Sequence, residues 1–340
     1  MERINVLVTN AMGDEALRLI TNVSPKIKLT DVTDLFRADQ IYYKAEESDA
    51  LGAKAKLNAL LAEAEVIYGM RLPHNLFKRV PRLKWIQLIS AGVDKYLDAE
   101  TAVSPVILTN MSGVCDTPIA EFVLGLMLMF VKQMPIYVQL KPEKRWLEWG
   151  EITVSMLRSK TVGVVGLGSI GREVARLAKS FGMRVLATRR SATRVGRARY
   201  VDIMYPSAQL QQLLAESDFV VLTLPLTPET EELIGEEELR SMKSTAYLIN
   251  IARGGIVNEE VLIHALDERW IAGAGLDVFA TEPLPSDSRL WELPNVIISP
   301  HISGDREDYF IKATEVFTEN LKRYLEGKKL RNLVDKKKGY

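Results

Sequence analysis

The chain of 340 residues carries 44 basic and 44 acidic side chains and therefore has no net charge at neutral pH. This balance argues against a general nucleic-acid-binding protein, because such proteins present excess positive charge to phosphates. The length and the 47% content of hydrophobic residues predict two domains, each with its own core.

Cys115 is the single cysteine, so the chain can form neither an intrachain disulfide nor a cysteine-cluster metal site, and we expect no metal. With no apolar leader at the N-terminus, this cysteine usage indicates a cytoplasmic protein. The longest apolar run, 118–134, contains Glu121 and is shorter than the roughly 20 residues of a bilayer span. We therefore expect a buried helix, with a place at a subunit interface as an alternative, and no membrane association.

The first hundred residues alternate short apolar strands with helical stretches, which predicts an α/β domain with a parallel sheet. A polar turn, 90–94, follows the third strand. Strands are predicted over 4–9, 66–68, 83–89 and 107–109, and a helix over 58–65.

A second α/β pattern begins after Trp149 and predicts another doubly wound parallel sheet. Its first strand is apolar almost throughout, as strands buried on both faces are. A final helix is expected over 309–326, and the lysines at 336–338 predict a solvated tail. Strands are predicted over 161–165, 184–187, 219–222, 247–249, 274–276 and 296–298, and helices over 172–181, 209–215, 236–241 and 259–268.

Residues 166–171 fit the G-x-G-x-x-G pattern of dinucleotide-binding loops. The pattern alone is weak, but here it follows a predicted strand and opens a predicted helix. The glycines permit a tight turn, a close approach of pyrophosphate and helix–strand packing, and the helix N-terminus offers unpaired N–H groups to phosphate. A glycine-rich turn without a ligand is the alternative. The predicted phosphate-binding residues are Gly166, Leu167, Gly168, Ser169, Ile170 and Gly171.

The second strand of this sheet ends in the sequence Thr188-Arg189-Arg190-Ser191. An NAD site usually places an acidic residue there to bind the ribose 2′-hydroxyl. Arginines instead bind a 2′-phosphate through charge-assisted hydrogen bonds, so we predict NADP, with NAD possible. Thr188 and Ser191 are expected to add hydroxyl contacts. The alternative is that Arg189 and Arg190 only face solvent.

Three histidines are present. His74 lies in a polar loop and His264 inside a predicted helix, whereas His301 follows a predicted strand. Arg253 and Glu282 lie in loops after two other strands. The carboxyl ends of strands line the ligand crevice of an open α/β sheet, so these last three side chains can converge there.

These motifs, in this order, resemble those of the D-2-hydroxyacid dehydrogenase family. The resemblance covers most of the chain and implies a Rossmann cofactor domain, 109–302, inserted into a discontinuous, flavodoxin-like substrate domain, 1–108 with 303–340. It is carried by the turn 90–94, the segment 110–121, the glycine loop, the segment 223–227 and the loops of Arg253, Glu282 and His301.

The resemblance implies hydride transfer between a nicotinamide and a small 2-keto or 2-hydroxy acid. Arg253 would bind the substrate carboxylate and polarise the keto oxygen, His301 would be the general acid of reduction, and Glu282 would orient its ring. These residue types suit the chemistry, because negative charge develops on the keto oxygen and needs a proton donor and a cation.

Other roles implied by the resemblance are cofactor contacts for Leu224, Pro225, Ala252 and Asp277, the last on the nicotinamide carboxamide. The N–H groups of Ala91, Gly92 and Val93 would hold the substrate carboxylate. Tyr68, Gly69 and Met70 would shape the substrate pocket. Family members are typically homodimers, which suggests that Trp146 and Trp149 close the partner's site, although such aromatics are often core residues.

Glyoxylate or hydroxypyruvate reduction is the expected activity within this family. Two other interpretations stay open: a dinucleotide-sensing corepressor or interaction protein, and a dinucleotide-binding protein that has lost its chemistry. Turnover of a 2-keto acid distinguishes the enzyme from both.

Overall fold

The computed structural model describes residues 3–36 and 48–340. The chain divides into two compact units, Met1–Val114 with Glu307–Tyr340, and Cys115–Arg306. The first boundary between the units lies after Val114, not after residue 108 as predicted from the sequence. The reason is that the Met111 N–H still donates to the Ser90 carbonyl of the first unit, 3.0 Å away. The second boundary lies after Arg306, whereas the sequence predicted it between residues 302 and 303. Ser303 belongs to the second unit because its N–H donates to Asp277 of that unit, 3.0 Å away.

The first unit is built on a five-stranded parallel sheet with the order β2-β1-β3-β4-β5, which is the flavodoxin-like order. Its short central strands β3 and β4 are buried throughout. The elements are β1 (Ile4–Val8), α1 (Asp14–Thr21), β2 (Ile27–Asp31), α2 (Ser48–Glu63), β3 (Val66–Tyr68), α3 (Leu76–Arg79), β4 (Trp85–Gln87), α4 (Ala99–Val103) and β5 (Ile107–Thr109).

The second unit contains most of the remaining elements. They are α5 (Asp116–Val131), α6 (Met134–Glu143), β6 (Thr161–Val165), α7 (Ser169–Ser180), β7 (Arg184–Arg189), β8 (Gly196–Ala198), β9 (Val201–Pro206), α8 (Leu210–Glu216), β10 (Phe219–Leu222), α9 (Glu236–Ser241), β11 (Tyr247–Asn250), α10 (Glu259–Asp267), β12 (Gly273–Leu276) and β13 (Val296–Ile298).

The sheet of the second unit has eight strands in the order β13-β12-β11-β10-β6-β7-β9-β8. All neighbours are parallel except β8 and β9, so a Rossmann sheet is extended by one antiparallel edge strand. The chain runs outward in opposite directions from β6 and from β10, and the loops that follow these two strands therefore meet at the ligand-binding edge of the sheet. The edge hairpin of β8 and β9 was not predicted from the sequence.

Helix α5 confirms the expectation of a buried helix in the apolar run that begins at residue 118. Eight of its residues are buried, among them Val123 and Met127, which belong to the core beneath β6. Within residues 3–36 and 48–340, no single helix has both the length and the apolarity of a bilayer crossing; only α5 and α6 taken together, bent by 64°, match them in length and composition.

The last helix, α11 (Tyr309–Leu325), completes the core of the first unit. The ring of Phe317 stacks on that of Tyr68, with centroids 4.1 Å apart. The chain then returns to β5, where the Val334 N–H donates to the Leu108 carbonyl over 2.9 Å. The predicted solvated tail is thus wrong at Lys336, whose ammonium group donates to the Ser104 carbonyl over 3.0 Å.

Candidate active site

The glycine loop is closely packed at its first and third glycines. Gly166 has φ 102°, and a Cβ there would lie 2.9 Å from the Cβ of Leu224 in the loop after β10. A Cβ on Gly171 would lie 2.5 Å from the Gly166 carbonyl oxygen. Glycine is therefore required at both positions for the turn and for the packing of α7 on β6.

The second glycine of the loop is different. No heavy atom lies within 4 Å of a Cβ built on Gly168, and this residue precedes α7 without a side-chain cap on the helix. The first N–H groups of α7 have no acceptors inside the helix. A bare, open helix N-terminus of this kind fits the pyrophosphate of a dinucleotide.

The end of β7 presents Arg189, Arg190 and Ser191 as exposed residues. Thr188 was predicted to contact the cofactor, but in the structure it supports the glycine loop. It is buried, its hydroxyl accepts from the Gly166 N–H over 3.3 Å, and its carbonyl accepts from the Leu167 N–H over 2.9 Å.

His301 and Glu282 form a direct pair. The Nδ1 atom of His301 lies 2.9 Å from Oε2 of Glu282, and Oε1 of Glu282 accepts from the Phe279 N–H over 3.2 Å. Because a carboxylate can only accept, Nδ1 carries the proton of this pair. The ring is therefore oriented with Nε2 as the nitrogen that can exchange a proton with a ligand, and the His301 side chain is 45% exposed.

Asp277 holds the loop that carries His301. Its carboxylate has no exposed surface, and it accepts from the Ser299 hydroxyl (2.6 Å), the Ile302 N–H (2.9 Å) and the Ser303 N–H (3.0 Å). His301 itself has φ 56°, which a non-glycine residue rarely adopts. The predicted contact between Asp277 and the nicotinamide carboxamide is corrected accordingly, since the buried carboxylate is bonded to the His301 loop.

The Arg253 loop follows β11 and is stabilised by hydrogen bonds among its own residues. Asn250 is buried; its side-chain amide donates to the Arg253 carbonyl over 2.9 Å and accepts from the Ala252 N–H over 3.1 Å. Nη1 of Arg253 donates to the Ala252 carbonyl over 2.7 Å.

The Arg253 loop also packs closely against the loop that leads to Glu282. A Cβ on Gly254 would lie 1.9 Å from the Phe279 carbonyl carbon. Only glycine fits at position 254, where the Arg253 loop contacts the backbone of the Glu282 loop.

In the first unit, the turn 90–94 follows β4. None of the N–H groups of Ala91, Gly92 and Val93 donates a hydrogen bond within the described part of the chain. Successive N–H groups of this kind form a concave site for an anion. The turn is fixed by Ser90, whose hydroxyl donates to the Gly92 carbonyl over 2.8 Å.

The residues predicted to shape the substrate pocket have different positions. The Tyr68 side chain lies in the core and its hydroxyl bonds to Thr314 over 3.1 Å, so its predicted place in the pocket is wrong. A Cβ on Gly69 would lie 2.0 Å from Oγ1 of Thr9, at the junction of β1 and β3. Met70 is 44% exposed, and its N–H donates to Asn10 over 2.7 Å.

Leu224 is half-buried and Pro225 exposed in the loop after β10, and Ala252 is buried. His264 lies on α10 with its ring edge-on to Trp270, at 5.0 Å between centroids, as expected for a structural residue. Trp146 and Trp149 are almost fully exposed.

Sequence reasoning missed Asn250 and Asn110 as supports of two binding loops. Both are buried asparagines at the end of an apolar strand. A buried amide at that position is a usable signal, because it must satisfy its hydrogen bonds in the loop that follows.

Comparisons with known proteins identify the family of the chain. The family model of the D-isomer specific 2-hydroxyacid dehydrogenase NAD binding domain matches residues 124–303. A glyoxylate reductase from Aeropyrum pernix is 35% identical over 349 aligned positions, which cover 99% of this chain and 97% of the relative.

Two solved structures are similar over nearly the whole chain. A D-isomer specific 2-hydroxyacid dehydrogenase from Xanthobacter autotrophicus, in complex with NADPH and MES, has a TM-score of 0.80 at 28% identity and covers 100% of both chains. An NADPH-dependent glyoxylate/hydroxypyruvate reductase from Sinorhizobium meliloti, in complex with NADP and sulfate, has a TM-score of 0.80 at 26% identity and covers 99% of this chain and 100% of that one.

Proposed function

Because the chain belongs to the D-isomer specific 2-hydroxyacid dehydrogenase family and is an NAD(P)-dependent hydroxyacid reductase, we propose that it reduces glyoxylate and hydroxypyruvate with NADPH. The observation that carries the proposed chemistry is the pair of His301 and Glu282 at 2.9 Å, which leaves one ring nitrogen free to exchange a proton. The names of the relatives support the choice of substrates.

The bound dinucleotide supplies the hydride, and the residues of the chain manage the charge that develops on the keto oxygen. Nε2 of His301 donates the proton to that oxygen during reduction and takes it back during oxidation. For this donation the ring carries a proton on both nitrogens, and loss of the Nε2 proton leaves the neutral ring with its proton on Nδ1. Glu282 accepts from that Nδ1–H before and after the transfer and so keeps the ring in one orientation. The Arg253 guanidinium binds the substrate carboxylate and stabilises the charge on the keto oxygen. The turn Ala91–Val93 of the first unit, considered by itself, presents N–H groups that suit the carboxylate of the substrate.

The preference for NADPH is supported by the end of β7. Arg189 and Arg190 are exposed and stand where an NAD-specific chain has a carboxylate. Guanidinium groups bind a phosphate dianion by charge-assisted hydrogen bonds, and a 2′-hydroxyl offers no comparable charge. The open backbone at Gly168 and the uncapped start of α7 hold the pyrophosphate.

Initial rates with glyoxylate, hydroxypyruvate and pyruvate, each with NADPH and NADH, test this proposal directly. We expect the highest kcat/KM for one of the first two acids with NADPH. Equal or better use of NADH overturns the cofactor preference, and a clear preference for pyruvate overturns the substrates. Dinucleotide binding without turnover of any keto acid favours the sensing protein.

We also propose that the chain forms a homodimer through the segment 134–156. Helix α6 has no buried residue. Such a concentration of exposed apolar side chains indicates a protein interface, and a second copy of this chain is the partner that family membership favours. The exposed apolar side chains are Met134, Tyr137, Val138, Trp146, Trp149, Val154 and Met156.

Light scattering on the purified protein tests the dimer. Val138→Asp combined with Trp149→Ser is expected to give a monomer, because both changes remove apolar surface from α6 and the loop after it. Trp291→Ser is the matched control, since Trp291 is an exposed tryptophan outside the segment. A monomeric parent protein, or a dimer that survives the double change, contradicts the proposal.

A further inference from the structure

A row of carbonyl groups is fixed where β4 leads into the turn 90–94. Four successive carbonyl oxygens accept a hydrogen bond, and three of the donors belong to other segments of the first unit. The bonds run from the Tyr309 hydroxyl to Ile89, from the Met111 N–H to Ser90 (3.0 Å), from Nδ2 of Asn110 to Ala91 (2.8 Å) and from the Ser90 hydroxyl to Gly92 (2.8 Å).

A peptide group is planar, so its carbonyl and its N–H point in opposite directions and rotate together. The bond to the Ala91 carbonyl therefore also fixes the N–H of Gly92. Likewise the bond to the Ser90 carbonyl fixes the N–H of Ala91. The three N–H groups that are left without acceptors are held in place by bonds on the far side of their own peptide groups.

Asn110 is the only side chain outside the turn that bonds to the central one of these peptide groups in the described part of the chain, and it is itself locked. Its Oδ1 accepts from the Ser112 N–H over 3.1 Å, which leaves Nδ2 to donate. Its carbonyl accepts from Gln87 over 3.1 Å, and its N–H donates to the Asn332 carbonyl over 3.2 Å. The residue is only 8% exposed.

We infer that Asn110 is a positioning residue, which holds the Ala91–Gly92 peptide group so that the turn presents its N–H groups to a carboxylate. This inference rests on the proposed role of the turn in binding the substrate carboxylate. Without the Asn110 amide, the Ala91 carbonyl can turn toward the ligand and replace an attractive N–H with a repulsive oxygen.

Two substitutions separate hydrogen bonding from charge. Asn110→Leu keeps the number and branching of the side-chain heavy atoms but removes both the donor to Ala91 and the acceptor of the Ser112 N–H. Asn110→Asp instead places an oxygen against the Ala91 carbonyl and adds a charge. Asn5 is the matched control, because its Nδ2 also donates to a backbone carbonyl of the same unit, that of Glu63, over 2.9 Å. The control variants are Asn5→Leu and Asn5→Asp.

The first readout is steady-state kinetics of glyoxylate reduction at saturating NADPH. We expect both Asn110 variants to raise KM for the keto acid by about tenfold or more, since the loss of one well-placed hydrogen bond changes affinity by that order. kcat and the KM for NADPH should stay within about twofold of the parent protein, because binding of the carboxylate alone is affected. The Asn5 variants should leave all three parameters unchanged.

The second readout is the affinity for oxalate, measured by calorimetry in the presence of NADP. Oxalate offers a carboxylate but cannot be reduced. We expect both Asn110 variants to bind it about tenfold or more weakly than the Asn5 variants do. Thermal unfolding of all four variants shows whether loss of stability is shared by the two sites.

The outcomes distinguish this inference from the proposed function. If the parent protein reduces no keto acid but oxalate binding still depends on Asn110, the positioning role stands and the function fails. If the parent protein is active and Asn110→Leu behaves like Asn5→Leu in both readouts, the positioning role is overturned and the function stands. An effect of Asn110→Asp without one of Asn110→Leu indicates charge repulsion and also overturns it.

Discussion

Oε2 of Glu282 lies 2.9 Å from Nδ1 of His301, and the other oxygen of the same carboxylate is bonded to the backbone of Phe279. The carboxylate is thus oriented by the protein before it orients the histidine ring. Because the ring is already oriented, Nε2 is available for proton transfer and no rotation of the side chain is needed first.

Replacement of Glu282 tests this pair. Glu282→Gln is expected to lower kcat on the order of 10- to 100-fold with little change in the KM for NADPH, because proton transfer by His301 depends on the carboxylate. Glu259→Gln is the control, since Glu259 also accepts from the same loop, at the Ala280 N–H over 3.1 Å, without bonding to His301. Equal activity of the two variants would contradict the assigned role.

Asp277 offers a second prediction, on stability and activity together. In Asp277→Asn one carboxylate oxygen becomes an NH₂ group that faces N–H donors, so we expect a loss of about 1–3 kcal/mol in the free energy of unfolding, measured in urea. kcat should fall with the displacement of the His301 loop, while the dissociation constant of NADPH stays nearly constant. Ser299→Ala removes only one of the three bonds to Asp277 and should cost less stability. A large weakening of NADPH binding in Asp277→Asn would instead support the direct contact with the cofactor.

The third prediction concerns the arginines after β7. Arg189→Asp is expected to weaken NADPH binding about 10- to 100-fold and to leave NADH binding nearly unchanged, because only NADPH carries the 2′-phosphate. Fluorescence titration of both dinucleotides measures the two constants. Arg197→Asp, an exposed arginine on the edge strand β8, serves as the control. If Arg189→Asp weakened the binding of NADPH and NADH equally, the proposed contact between Arg189 and the 2′-phosphate would be wrong.

The fourth prediction follows from the environment of Cys115. Burial, with a smaller contribution from the negative charge of Asp116, raises the pKa of this thiol from 9.0 to about 11. A raised pKa leaves less of the reactive thiolate at any pH below it. At pH 8 we expect alkylation by iodoacetamide about 100-fold slower than in the denatured chain, with a tenfold increase for each pH unit up to about 11. Mass spectrometry gives the rate, and a native rate within a few-fold of the denatured one would contradict the shift.

Local patterns predicted much of this structure. The strands at 161–165, 219–222, 66–68 and 107–109 were predicted with the bounds that the structure has, because buried parallel strands are short runs of apolar residues between turns. The helix after the glycine loop begins at Ser169 rather than at residue 172, since the loop itself supplies its first turn. The hairpin of β8 and β9 was missed because its arginines are typical of a solvated loop, although they also suit an exposed edge strand.

The site was predicted less evenly. The loops of Arg253, Glu282 and His301 were identified by their place after strands, but the burial of Thr188, Asp277 and Tyr68 was not. A polar residue at a strand end can face a ligand or support a neighbouring loop. Which of the two it does depends on which groups of other strands and loops pack against it. Sequence spacing contains no information on that choice.

The placement of α11 has a consequence for synthesis on the ribosome. Residues 115–306 are contiguous and can fold as soon as they have emerged. The first unit, in contrast, buries Tyr68 and Trp85 against Phe317, so its core stays incomplete until the last helix leaves the exit tunnel. The N-terminal segment therefore stays without its complete core while the whole second unit is synthesised.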